Sequence, residues 1–322
     1  FIRMAAGFGE ASIKHDKERY EHKYEYCDLL ITGSGPSGLA SAYAAAKNGA
    51  RVILAEDKPR FGGSLLTSDV NIGNQTGVEW TEKIIAELKS MPNVTVKNRS
   101  QVFGYYDHNM LVMSERISDH LPKTQKYLPK QRLWYIRANE VLISSGSIER
   151  PLVFGNNDTP GVMLSSAAKE YMKVYGVLVG KKPLIFTNND SGYETAIEFK
   201  KNGVNPIILD TRSNPSSDII TEAKNLNIEI RFSYVVVAAK GYKKVKSADI
   251  AKISDDKKEL FNIENIECDC ICVSGFWTPS IHLASQSGNK SKFNEKIDAF
   301  VPDKSKQQEN TCLLYTSPSP RD

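Results

Sequence analysis

Cys27-Asp-Leu-Leu-Ile-Thr32 leads into Gly33-Ser34-Gly35-Pro36-Ser37-Gly38, and the stretch from there to Glu56 decides the fold. An alanine-rich segment, Leu39 to Lys47, follows. After Gly49 comes a second apolar run, Arg51-Val-Ile-Leu-Ala55, closed by Glu56. The order is strand, glycine turn, helix, strand and terminal acid, which is the dinucleotide fingerprint. Gly33 permits the tight turn, Gly35 lets a pyrophosphate approach the backbone, and Gly38 lets the helix pack on the strand. The helix start offers unpaired N–H groups and a partial positive charge to phosphates. Glu56 can accept hydrogen bonds from ribose hydroxyls and would repel a 2′-phosphate, so NAD or FAD is expected rather than NADP. The competing reading is a glycine turn in an ordinary βαβ unit.

Downstream, Asp57-Lys58-Pro-Arg-Phe-Gly62-Gly63-Ser64 carries a glycine pair that lets the chain pass close to a bound nucleotide. Glu79 to Ser90 has helical spacing (Trp80, Ile84, Ile85, Leu88), and Val94-Thr-Val96 is a short strand. Residues 103–116 and 131–137 read as a β-meander. Glu140-Val-Leu-Ile-Ser-Ser145-Gly146 reads as a buried strand ending in a small-residue turn, suited to running beneath a cofactor. Ser165 to Tyr175 reads as a helix.

A second βαβ unit repeats the layout. Leu184 to Thr187 is its strand, Asn188 to Ser191 its turn, Gly192 to Lys200 its helix, and Pro206 to Asp210 its acid-tipped second strand. Thr187 and Asn189 fill the first two glycine positions, and a side chain at Asn189 would crowd a pyrophosphate. The unit is either kept for packing or still able to hold a nucleotide. Further strands are expected at Ile228 to Phe232, Tyr234 to Ala239 and Cys270 to Ser274, with a hairpin across 250–266. The expected fold class is α/β: an FAD/NAD(P)-binding Rossmann-like domain with a second, degenerate Rossmann-like domain inserted. The expected boundaries are a connector (1–26), the first domain with its meander (27–176), the second domain (177–266), a return to the first (267–302) and a tail (303–322). Residues 312–322 lack any helical or strand period. They read as translated adapter sequence or as a native disordered tail.

Composition excludes several classes. The 322 residues carry a formal net charge of +4, spread along the chain, which does not argue for nucleic acid. Lys240 to Lys246 reads as a solvated face. No apolar run reaches the roughly 18–20 residues that span a bilayer, and no signal-peptide pattern is present. Phe1 in place of an initiator Met points to a start inside a longer protein. The five cysteines, Cys27, Cys268, Cys270, Cys272 and Cys312, include no C-x-x-C pair and no zinc spacing, and suggest a reduced, cytoplasmic protein. The five histidines have no metal spacing, no nucleophile elbow occurs, and neither a catalytic residue nor a metal ligand is assigned.

Several longer strings carry a more specific signal. They are Arg132-Leu-Trp-Tyr-Ile-Arg137, Gly146-Ser-Ile-Glu-Arg-Pro-Leu-Val-Phe154, Asn156-Asn-Asp-Thr-Pro-Gly-Val-Met163, Phe186-Thr-Asn-Asn-Asp190, Cys268-Asp269, Val273-Ser-Gly275 and Ala299-Phe-Val-Pro302. Over residues 1–302 the sequence resembles the α subunit of heterotetrameric sarcosine oxidase. The resemblance implies a central region of a longer subunit, with a ferredoxin-like domain before it and a folate-binding domain after it. It implies NAD bound to this region, FAD and the sarcosine pocket on a β subunit, FMN near the α/β contact, and γ and δ subunits as further partners. The complex would demethylate sarcosine to glycine with hydrogen peroxide and methylenetetrahydrofolate. Carried over by the resemblance, the nucleotide contacts are Gly33, Ser34, Gly35, Pro36, Ser37, Gly38, Glu56, Asp57, Lys58, Gly63 and Ser64, with Val102 beside the adenine and Ser145 and Gly146 beneath. The family's glycine- and alanine-rich closing segment does not follow Pro302.

Two other functions compete with this non-catalytic NAD core. A self-sufficient FAD-dependent pyridine-nucleotide reductase needs a redox cysteine pair, and neither Gly63 to Asp69 nor residues 184–200 contain one. A structural module that has lost its cofactor would not need Gly33, Gly35, Gly38 and Glu56 together. Opine dehydrogenase and cyanide synthase subunits share the architecture and remain open.

Overall fold

The computed structural model describes residues 5–313 apart from 8, 10, 11, 123–126, 255 and 257. Strand β1 (Tyr20–Thr32) starts well inside the stretch expected to be a connector. The alternation Tyr20, His22, Tyr24, Tyr26 against Glu21, Lys23, Glu25 is a period of two built from polar residues, which an apolar-run reading passes over. Helix α1 (Pro36–Lys47) and strand β2 (Val52–Ala55) follow. A small ladder of β3 (Asn71–Ile72) and β4 (Gln75–Thr76) leads into helix α2 (Gly77–Ser90). The Thr76 and Glu79 side chains each accept from the other's backbone N–H, a capping box that fixes the start of α2.

Strands β5 (Val94–Lys97), β6 (Ser100–Tyr106), β7 (Met110–Arg116) and β8 (Gln131–Ile143) complete the first sheet, in the order β5-β2-β1-β8-β7-β6. The first four run parallel, and the expected meander follows, with β7 antiparallel to β8 and β6 antiparallel to β7. The two segments read separately at 131–137 and from Glu140 are one strand. Along its whole length it pairs parallel with β1, and up to Arg137 its other edge carries the meander.

The chain crosses to the second half through β9 (Ser147–Glu149). There β10 (Val162–Leu164), helix α3 (Ser165–Tyr175), β11 (Pro183–Thr187), helix α4 (Ser191–Lys201), β12 (Ile207–Asp210), helix α5 (Asp218–Asn225) and β13 (Glu229–Phe232) follow in turn. An antiparallel meander of β14 (Tyr234–Lys240), β15 (Ser247–Ile253) and β16 (Leu260–Glu267) leads to β17 (Cys270–Ser274). The second sheet is parallel throughout, in the order β10-β17-β11-β12-β13. The second half therefore repeats the plan of the first, a parallel sheet plus a meander.

The second sheet cuts across two of the expected boundaries. The sequence pattern puts residues 162–175 with the first domain and 270–274 with the return, yet β10 and β17 lie side by side in the second sheet. Pairing of Val162–Leu164 with Ile271–Val273 is a long-range contact that local pattern does not reveal. The return starts at β18 (Trp277–Pro279), which pairs antiparallel with β9. Helix α6 (His282–Gln286), the hairpin β19 (Ser291–Asn294) and β20 (Ala299–Pro302), and β21 (Glu309–Thr311) follow. Against expectation, residues 309–313 are not a tail. β21 pairs parallel with Val141–Ile143 along the edge that the meander leaves open, and Leu313 is buried. The rest of the segment read as adapter or tail, 314–322, lies outside the described residues.

Strands β2, β11 and β17 are buried along their whole length, as parallel strands covered on both faces require. Cys27, Cys268, Cys270 and Cys272 are all buried. Burial pushes the Cys27 and Cys268 thiols up to about 12, which keeps them protonated and unreactive.

Candidate nucleotide site

The two glycine turns lie at the carboxyl ends of their sheets, and their surroundings differ. In the first turn, Gly33 has φ +100°, and a Cβ there would lie 2.3 Å from the Ser144 carbonyl oxygen. A Cβ on Gly38 would lie 2.0 Å from the Gly33 carbonyl oxygen. These two glycines are demanded by the protein's own packing. Gly35 is not: its φ of −66° and ψ of −179° suit any residue, and a Cβ there would meet nothing within 4 Å. The missing side chain leaves room for something other than protein. No side chain caps the start of α1, and its first turn holds no acid. A bare helix start beside an open glycine is a fitting cradle for a pyrophosphate.

Ser34 joins three parts of the site. Its N–H and hydroxyl both donate to Glu56 Oε2, at 2.9 and 2.6 Å, and its carbonyl oxygen accepts from Gly62 N–H at 3.0 Å. Glu56 Oε1 accepts from the Lys58 N–H at 2.9 Å. Glu56 is buried, and desolvation, with the Asp57 carboxyl next, holds its pKa above the ordinary carboxylate range against the pull of these donors. Gly63 packs directly on the turn, since a Cβ on it would lie 2.9 Å from Gly35 Cα.

The remaining expected contacts gather round the same turn. The Ser100 N–H donates to the Glu56 carbonyl at 2.8 Å, so β6 starts at the acid and carries half-buried Val102 two residues on. Asp57, Lys58 and Ser64 are exposed along the segment that leaves Glu56. Ser144 N–H donates to the Thr32 carbonyl at 2.8 Å, which sets Ser145 and Gly146 beside the turn. Gly146 also meets nothing within 4 Å of a built Cβ. Ser280 is a residue the sequence reading misses. Its carbonyl accepts from Ser145 Oγ at 2.9 Å and its N–H donates to the Gly146 carbonyl at 2.9 Å, holding that loop in place. Nothing in the local sequence signals this, because Ser280 reaches the loop only through the β9–β18 pairing.

The second turn is filled. Asn189 Oδ1 accepts from the Ser191 N–H at 2.9 Å, so the start of α4 already has an acceptor. Asn189 Nδ2 donates to the Ser274 carbonyl at 3.1 Å. Thr187 lies against Gly192, 2.7 Å from a built Cβ. Asp210, the counterpart of Glu56, is fully buried and bound by the Tyr193 hydroxyl at 2.7 Å and the Arg212 guanidinium at 2.8 Å.

Residues 27–307 match the pyridine nucleotide-disulphide oxidoreductase family. The chain belongs to that family. It is 38% identical over 301 residues to the sarcosine oxidase α subunit of Rhizobium meliloti (strain 1021), and 34% identical over 304 residues to that of Corynebacterium sp. (strain P-1). Each match covers 93% of this chain but only 29% and 31% of the relative, so the chain spans under a third of their length. Among solved structures, thioredoxin reductase of T. acidophilum superposes with a TM-score of 0.63 at 17% identity, over 83% of this chain and 82% of that one. Together the family match and this likeness show an FAD/NAD(P)-binding Rossmann-like fold. Among the described residues no helix is long and apolar enough to cross a membrane, and no cluster of three or more His, Cys, Asp or Glu could hold a metal ion.

Proposed function

We propose that this chain is the nucleotide-holding core of an α subunit of the sarcosine oxidase type, and that it binds NAD at the first glycine turn. The observation that carries the reading is the open face of Gly35 beneath an uncapped helix start, with Glu56 already oriented by Ser34 and Lys58. The α1 N–H groups and the Gly63–Ser64 backbone would hold the pyrophosphate. Glu56 would accept from the adenosine ribose hydroxyls through lone pairs not used by Ser34 and Lys58. Val102 would flank the adenine, and Ser145 and Gly146 would leave room beneath. NAD supplies hydride-transfer capacity when bound. The chain's own residues would bind and orient it.

In this reading the amine is oxidised on another subunit, with flavin there or at the contact, and folate chemistry belongs to a separate domain. The partners are β, γ and δ subunits of a cytoplasmic complex. The chain by itself is then expected to oxidise nothing. The second reading, FAD in the same groove of a self-sufficient reductase, draws on the fold it shares with thioredoxin reductase. Against it, no cysteine accompanies the Gly62–Gly63 turn, and Cys268, Cys270 and Cys272 are buried.

Mass spectrometry of small molecules released from the purified chain separates the two. NAD without flavin supports the first reading, and stoichiometric FAD replaces it with the second. Peroxide production from sarcosine by the chain alone, above a no-protein control, would also overturn the subunit reading.

A further inference from the structure

Segment 57–69 leaves Glu56, lays Gly62 and Gly63 over the glycine turn, and ends at Asp69. At both ends it is tied to the second half by charge. Lys58 Nζ lies 2.9 Å from Glu170 on α3. Asp69 pairs with Lys173 on α3 and, at 2.9 Å, with Lys201 on α4. Lys173 is itself held by Glu198 of α4 at 3.3 Å. The pairs at Lys58 and Asp69 join a segment of the first half to helices of the second. They fall on a segment that also packs against Gly35.

We propose that segment 57–69 is an ion-pair strap that closes the nucleotide site and exchanges between closed and open with the seam between the halves. The inference rests on the reading of the first turn as the nucleotide site. The exposure of the pairs fits a reversible device. The Asp69 side chain is 61% exposed, Lys58 51% and Lys201 47%, while Lys173 at 17% and Glu170 at 32% are more covered, so the outer ends of the pairs are open to screening by salt. The mechanical link is short. The Lys58 backbone N–H holds Glu56 while its ammonium holds Glu170. The Gly62 N–H holds Ser34, while Asp69 anchors the far end of the same segment. Releasing α3 therefore loosens both walls of the turn.

The test uses Asp69→Asn and Glu170→Gln, neither of which touches the turn, singly and together. Two readouts are needed: amide hydrogen exchange of residues 58–68 in the free chain, and dissociation rates of NAD and of FAD as probes. The double variant is expected to exchange these amides and release bound dinucleotide roughly fivefold faster. Raising NaCl from 0.05 to 0.5 M should do the same to the wild type and little to the double variant. Unchanged exchange overturns the strap. Faster exchange with unchanged dissociation overturns its control of release. If neither dinucleotide binds, the functional reading of the turn fails and takes the control of release with it, while the exchange data and the salt series on unmutated protein still decide whether the strap exists.

Discussion

The two halves of this molecule are built on one plan and have opposite turns. Each has a parallel sheet, a helix entered through a tight turn, an acid at the end of the next strand, and a meander. In the first half the helix start is uncapped and Gly35 faces open space. In the second, Asn189 supplies the acceptor at the helix start, and Tyr193 with Arg212 satisfies the acid. A βαβ turn becomes a binding site only where the protein leaves its own donors and its acid incompletely used. The second turn has engaged an N–H at its helix start and its acid in hydrogen bonds of its own.

The sharpest test of that contrast is Gly35→Val. The backbone there accepts a side chain and a Cβ meets nothing within 4 Å, so Tm should stay within about 2 °C of wild type. Dinucleotide affinity should fall by about 100-fold, near 3 kcal/mol, because the side chain fills the approach to the pyrophosphate. Gly38→Ala should behave in the opposite way and destabilise the fold by roughly 1–3 kcal/mol, since its Cβ collides with the Gly33 carbonyl. Calorimetric titration and thermal melts of both variants check the pair. If Gly35→Val binds NAD normally, the open face is not the cradle.

Glu56→Gln comes next. Losing a charged acceptor should weaken NAD binding by about 1.5–3 kcal/mol and narrow the preference for NAD over NADP. The wild type should also bind less well as pH falls. Glu56 has a raised pKa, so it takes up a proton and loses acceptor strength above the pH at which an ordinary glutamate would. Equal NAD and NADP titrations of the wild type would remove Glu56 from the ribose.

How far the sequence carries these contrasts depends on the range of the interaction. The first turn is legible because Gly33, Gly35, Gly38 and Glu56 are near in sequence and each answers a local steric or electrostatic demand. The block at Asn189 is legible for the same reason. Its hydrogen bond to Ser274 is not, because β17 reaches β11 across the meander. The strand at Tyr20–Tyr26 escapes an apolar-run reading because its alternation is of aromatic and charged residues. Ser280, and the pairing of Asp69 with Lys173, depend on how the halves meet, which no local pattern encodes.

Asn189→Ala probes the filled turn. It strips the acceptor from the Ser191 N–H and the donor from the buried Ser274 carbonyl. A loss of about 1–2 kcal/mol in unfolding free energy is expected, measurable by urea titration. The variant should still bind no second dinucleotide, because Asp210 stays with Tyr193 and Arg212. A second equivalent of NAD bound by Asn189→Ala would mean that the side chain alone, and not the engaged acid, closes this turn.

The smallest effect is expected at Glu149, on the crossover strand between the halves. Its Oε2 accepts from the Ser166 N–H at 2.7 Å at the start of α3, while its buried Oε1 has no hydrogen-bond partner. Desolvation raises its pKa, with Ser274 and Ser166 opposing. A carboxyl whose folded pKa lies above its unfolded one favours the fold while protonated. That contribution is fully present below the unfolded pKa and is lost as pH rises through the folded one. Glu149→Gln keeps an acceptor for Ser166 and carries no charge. It should match the wild type near pH 4 and exceed it above the raised pKa. Thermal melts across that range decide the sign. A variant less stable than wild type at pH 8 but equal at pH 4 would mean that the field at the start of α3 outweighs desolvation. The crossover would then be held by the same kind of anion-at-helix contact that the first turn leaves open for its ligand.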